Sequence, residues 1–171
     1  LKTNAVYVGR INPEKGIYDI LEVLKIVVKI KPDFKLGIVG IGDKKSTCQY
    51  LDTANKAGLG KNIVSFGKRY GVEKFNILKS SQCFLFLSHH ESYGVALQEA
   101  LLSGLPAVVY NLPVYTNHHN QSLINRVRVG DYNGAAKNVL TLQIMKKPTT
   151  SILDNKAVDW ETIAKMEQKY F

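Results

Sequence analysis

The segment Cys83–Tyr110, C-F-L-F-L-S-H-H-E-S-Y-G-V-A-L-Q-E-A-L-L-S-G-L-P-A-V-V-Y, decides the fold class. It opens on the apolar run Cys83–Leu87 and closes on the β-branched run Ala107–Tyr110, both of strand length. Between them Val95, Ala96, Leu97, Ala100, Leu101 and Leu102 define a helix from about Tyr93 to Ser103, apolar nearly all round and closed by Gly104. A helix between two buried strands is the crossover that parallel strands require.

The same alternation extends outward in both directions. Upstream, Asn4–Val8 reads as a strand, and Ile17, Ile20, Leu21, Leu24, Val27 and Val28 recur at helical spacing before Pro32 stops the helix. Phe34–Val39 is a second strand, followed by a polar helix to about Ala57 and a third strand at Ile63–Phe66. A short helix, Val72–Ser80, leads into Cys83. Downstream, a sixth strand is expected near Leu123–Val127, with helices near Asp131–Leu142 and Asp159–Tyr170, the last capped by Asp159. The pattern predicts an α/β domain with a mainly parallel sheet flanked by helices.

Composition agrees with a folded domain. The 171 residues suit one domain, and 45 % apolar with 22 % charged residues leaves too little polar bias for disorder. No apolar run approaches the ~20 residues of a membrane span, and nothing reads as a secretory leader. Cys48 and Cys83 match no metal or redox spacing, so a reducing cytoplasm is expected. A formal charge of +9 points to an anionic partner, but the bases are spread along the chain, and no aromatic-basic stretch resembles a nucleic-acid-binding strand.

In an open parallel sheet, ligands bind beyond the carboxyl ends of the strands, where loops feed helix N-termini. Four loops qualify: Gly9–Gly16, Gly40–Asp43, Gly67–Gly71 and Ser88–Gly94. In G-R-I-N-P-E-K-G, Arg10 and Lys15 flank Pro13 between a strand end and a helix start; they suit a diphosphate, or are solvated bases on a turn. Gly40 and Gly42 begin a dinucleotide-like turn whose third glycine would fall at Lys45, so the strict motif fails. Glu99 sits on the apolar helix, where an unpaired carboxylate would cost several kcal/mol, so it requires a cation, backbone amides or ligand hydroxyls. Glu91 lies in the loop ahead of that helix, with Gly94 able to present its amide. The adjacent pairs His89-His90 and His118-His119 lack zinc spacing, and no nucleophile elbow is present. Asn120-Gln121-Ser122 is a formal glycosylation acceptor only.

Together, V-G-R-I-N-P-E-K-G, I-V-G-I-G, V-S-F-G and F-L-S-H-H-E-S-Y-G-V-A-L-Q-E-A-L-L-S-G-L-P-A-V-V resemble the C-terminal, nucleotide-sugar-binding domain of the group 1 (family 4) retaining glycosyltransferases of GT-B fold, from about Val6 to Val109. The resemblance implies a single Rossmann-like domain over residues 1–171, half of a GT-B fold, whose substrate is a nucleoside-diphosphate sugar and which needs no metal or other cofactor. It implies that Arg10, Lys15 and the amides of Gly94 and Val95 hold the donor diphosphate, that Glu99 holds the ribose hydroxyls, and that Glu91 contacts the donor sugar and supports the chemistry at its anomeric carbon. Gly9, Gly40, Gly42, Lys68, Arg69, Tyr70 and Ser88 would line the pocket and approach the base. The sequence departs from the family at Ser92 and Tyr93, and beyond Val109, where Y-N-L-P-V-Y fits only a subset; no contact is assigned there.

The resemblance also implies a partner. Such enzymes bind the acceptor largely on an N-terminal GT-B domain, so this chain is expected to be one half, inactive alone, its closing segment with Trp160, Ile163 and Phe171 leaning toward that domain. Its expected setting is the cytoplasm, at the inner face of a membrane where the acceptor is lipid-linked. The competing reading is a non-catalytic basic α/β module for nucleic acid or anionic lipid head groups. It predicts binding to long polyanions that collapses with salt.

Overall fold

The computed structural model describes residues 2–40, 42–118 and 121–145. Six strands, β1 (Ala5–Val8), β2 (Leu36–Val39), β3 (Ile63–Gly67), β4 (Cys83–Phe86), β5 (Ala107–Tyr110) and β6 (Ile124–Val127), alternate with five helices, α1 (Ile17–Ile30), α2 (Lys44–Lys56), α3 (Gly71–Ser80), α4 (Val95–Leu102) and α5 (Tyr132–Ile144). The strands form one parallel sheet in the order β3-β2-β1-β4-β5-β6. This is the Rossmann-like α/β architecture expected from the alternation of periods. The order reverses between β1 and β4, which pair through Ala5 with Cys83 and Val6 with Phe84.

Every residue of β2, β4 and β5 is buried, which is why these segments read as continuous apolar runs rather than alternating ones. Helix α1 lays Ile17, Ile20, Leu21, Leu24 and Val27 on the sheet and packs alongside α5, whose Ala135, Ala136 and Val139 keep the two axes close. Each fully buried Leu, Ile or Val contributes about 1.5–3 kcal/mol relative to exposure. Helix α2 buries only Tyr50 and Ala54, as its polar sequence foretells, and depends on Asp43, whose carboxylate accepts the Ser46 amide at 2.8 Å.

Element ends differ from expectation by a residue or two. Helix α4 starts at Val95 rather than Tyr93, because Gly94 takes the left-handed conformation, φ +84°, as its N-cap. β2 starts at Leu36 rather than Phe34, since the chain is still closing the turn after α1 through Phe34 N–H to Lys31 O. The helix expected at Asp159–Tyr170, with Trp160, Ile163 and Phe171, lies outside the described residues, as do His119, Asn120 and Ile41.

Candidate functional site

The reversal of strand order leaves a crevice above the carboxyl ends of β1 and β4, flanked by loops some seventy-five residues apart in sequence. The two loops are tied together. His89 N–H donates to Glu14 O at 2.9 Å, and the Ser88 hydroxyl, wholly buried, donates to His90 O at 3.0 Å and toward Glu14 O at 3.4 Å. Asp19 on α1 accepts from Tyr110 Oη at 2.5 Å and from His89 Nε2 at 2.9 Å, which pins the β4–α4 loop against the first helix.

One hollow, of about 210 Å³, is lined by Val8 and Gly9 from the end of β1, by Lys15, and by Glu91, Gly94 and Val95. Lys15 Nζ lies 2.7 Å from Glu91 Oε1 and 3.3 Å from His90 O. The amides of Val95, Ala96 and Leu97 precede the first intrahelical bond, Gln98 N–H to Gly94 O, and so belong to the unpaired first turn that favours anions. Val95, half exposed, leaves this end of α4 open. The hollow thus combines a cation, a carboxylate and a helix tip.

A second hollow, of about 270 Å³, adjoins it through the shared residues Val8 and Gly9, and is lined by Arg10, Gly40, Lys68, Arg69, Tyr70 and Lys74. Arg10 is exposed on a loop whose carbonyl accepts from Tyr7 Oη at 2.7 Å; burial, before all else, raises the Tyr7 phenol above its ordinary value and keeps it a donor. Gly40 closes the opposite wall, and any Cβ there would stand 1.9 Å from Gly9 O. Lys68 Nζ rests 4.9 Å over the Tyr70 ring, and Tyr70 itself is largely exposed. Gly42 and Ser88 line neither hollow: Gly42 donates to Thr47 Oγ1 at the start of α2, and Ser88 lies beneath the floor.

Glu99 answers the question its sequence position raised. It is 7 % exposed, and Lys74 Nζ of α3 meets its Oε1 at 2.5 Å. The ion pair stands behind the second hollow, with Lys74 forming part of the wall and Glu99 the layer beyond. Lys74 is a site residue that sequence reading left unassigned; only the demand for some cation near Glu99 foretold it.

The segment after β5, to which no role was assigned, buttresses the helix tip. His118, buried, places Nε2 2.7 Å from Tyr93 O and Nδ1 2.6 Å from Gln98 Oε1. The Tyr93 carbonyl can only accept, so that contact is donated by Nε2–H, and Nδ1 faces the Gln98 amide. The Tyr115 ring lies against Gly94, where a Cβ would approach its Cε1 to 2.8 Å. Among the described residues, no three His, Cys, Asp or Glu side chains gather into a metal-binding group, and no described helix is long and apolar enough to cross a membrane.

The family model described as Glycosyl transferases group 1 matches residues 2–147. An uncharacterized glycosyltransferase of Methanocaldococcus jannaschii is 34 % identical over 103 residues, 60 % of this chain and 24 % of that protein. GDP-mannose:cellobiosyl-diphosphopolyprenol alpha-mannosyltransferase of Xanthomonas campestris is 24 % identical over 128 residues, 72 % of this chain and 34 % of the relative. The matched stretch therefore spans about a quarter to a third of these relatives. The C-terminal domain of a glycosyl transferase group 1 family protein (LpcC) from Francisella tularensis superposes with a TM-score of 0.68 at 17 % identity, covering 90 % of this chain and 85 % of that one. That likeness establishes the shared fold.

Proposed function

Since the chain belongs to the group 1 glycosyl transferase family, we propose that it is the donor-binding domain of a retaining glycosyltransferase that takes its sugar from a nucleoside-diphosphate sugar. One observation carries this reading: of two hollows joined at Val8 and Gly9, one sets Lys15 and Glu91 beside the amino end of α4, and the other presents Arg10 and Lys74, with Glu99 paired to Lys74 behind its wall. A diphosphate spans the junction, with Arg10 and Lys15 on its oxygens and the amides of Gly94 and Val95 completing the cradle. The base lies toward Lys68, Arg69 and Tyr70, against Gly40, and the ribose turns toward Glu99. The donor sugar lies beside Glu91.

In this arrangement the cations and helix tip stabilise charge as the diphosphate departs, the work a metal performs elsewhere, and the site requires no metal. Glu91 opposes the positive charge that develops at the anomeric carbon. A second GT-B domain brings the acceptor over the crevice, and this chain without that domain binds donor but does not transfer. The GDP-mannose:cellobiosyl-diphosphopolyprenol alpha-mannosyltransferase of Xanthomonas campestris, named for a nucleotide sugar and a polyprenol-linked saccharide, supports a nucleotide-sugar donor and a lipid-linked acceptor.

The test is calorimetry with UDP, GDP and ADP against their monophosphates and a long polyanion at low and high salt. A nucleoside diphosphate should bind best and keep most of its affinity in salt. Preference for the polyanion, with affinity falling steeply as salt rises, would overturn the proposal in favour of a basic binding module.

A further inference from the structure

We propose that Lys74 is a positioning residue for nucleotide recognition: it holds the Glu99 carboxylate ionised and turned so that one oxygen remains to receive a vicinal diol. The inference rests on the donor-binding reading above and extends it to a residue on α3. Three observations carry it. Lys74 belongs to the wall of the second hollow, so a ligand there meets it directly. Its ammonium engages only Oε1 of Glu99, and among the described residues no hydrogen bond is made to Oε2. That oxygen is also not among the fully buried polar atoms that lack a partner.

Energetics argue in the same direction. The two side chains are 13 % and 9 % exposed, and a pair this deep gives back in attraction about what it loses in hydration. An apolar pair would fill the space between α3 and α4 as well. Stability alone therefore does not account for a lysine and a glutamate here. A carboxylate that must accept hydrogen bonds from two neighbouring hydroxyls does, because it has to be charged and fixed in orientation before the ligand arrives. Lys74 supplies both, on the first turns of α3, directly after the Lys68–Tyr70 segment that faces the base. Its ammonium also lies over the Phe75 ring, 5.2 Å from Nζ to the ring centre.

The experiment compares Kd for UDP, GDP and ADP with their 2′,3′-dideoxy counterparts, in the wild type and in Lys74→Met, with the fold checked by circular dichroism. The wild type should favour the ribonucleotide by at least about tenfold, the scale of a charged hydrogen bond, and Lys74→Met should reduce that preference to below about threefold. A bridge that only stabilises the fold would leave the preference intact in any folded variant, and that result overturns the inference. Lys74→Gln, which keeps a donor without the charge, is the second variant, with an intermediate preference expected; unfolding of both variants assigns the pair to stability and also overturns it. Failure of the wild type to bind any nucleoside diphosphate overturns the donor-binding reading and this inference together. Binding without a ribose preference overturns this inference alone.

Discussion

Lys15 Nζ and Glu91 Oε1 stand 2.7 Å apart, joining the loop after β1 to the loop after β4 across the reversal of the sheet. The cation proposed to hold a diphosphate is thus shared with a carboxylate in the same hollow. Its two claimants compete for it, and a ligand's phosphate must divide Lys15 with Glu91.

That competition sets the sign of a pair of substitutions. Glu91→Gln removes a negative charge from the hollow and releases Lys15, so UDP, GDP or ADP should bind about threefold to tenfold more tightly, while transfer by a complete enzyme is lost. Lys15→Met should weaken the same ligands by about tenfold or more. Titration calorimetry reads both, and weaker binding by Glu91→Gln would rule out the competition.

Gly94 is held at φ +84° against the Tyr115 ring. Alanine there meets both an unfavourable backbone and a fully buried ring, so Gly94→Ala should cost about 1–3 kcal/mol in urea unfolding and lower diphosphate affinity as the first turn of α4 shifts. Unchanged affinity with reduced stability would separate the helix tip from the ligand.

Tyr115 is fully buried, yet its hydroxyl has no hydrogen-bond partner among the described residues, and burial together with the Glu91 charge raises its pKa above the ordinary phenol value. Deleting an unsatisfied polar atom removes a penalty, so Tyr115→Phe should leave stability unchanged or raise it by about 1 kcal/mol. A loss of similar size in thermal unfolding would mean that the hydroxyl is bonded in solution.

Asp43 gives a pH signature separate from the site. The Ser46 amide, then its hydroxyl, hold the carboxyl below its ordinary value of 3.8. A folded-state pKa lower than the unfolded one adds stability above the unfolded value, and that stability is lost as pH falls through the folded one. The melting temperature of wild type should therefore decline on acidification below about pH 5, and Asp43→Asn, which keeps a capping oxygen that does not titrate, should decline less steeply. Parallel slopes would show that the cap is not charged in solution.

Much of the lining of the first hollow was legible because its residues sit at element ends. Gly9, Lys15, Glu91 and Gly94 each follow a strand or precede a helix, positions that turn chemistry marks in a single chain, and the structure brings them to one hollow. Glu99 was conspicuous as a carboxylate on an apolar helix, but its partner was not, because Lys74 lies on a different helix whose lysines look alike in sequence. Tyr115 and His118 were hidden for a related reason. They follow β5 in and just after a short 3-10 helix, Pro113–Asn117, that no apolar periodicity marks, and they brace Gly94 from the side.

From the sequence alone came the alternation of strands and helices, since apolar period reports which faces of each element must leave water, and with it the loops where a ligand could bind. Which loops face one another came only with the folded chain. Placing β4 on the free side of β1, opposite β2, although β2 and β3 come between them in sequence, puts Lys15 against Glu91 and α3 against α4. Strand order is chosen by the packing of whole sheet faces and helices over long separations, and no local pattern of residues encodes it.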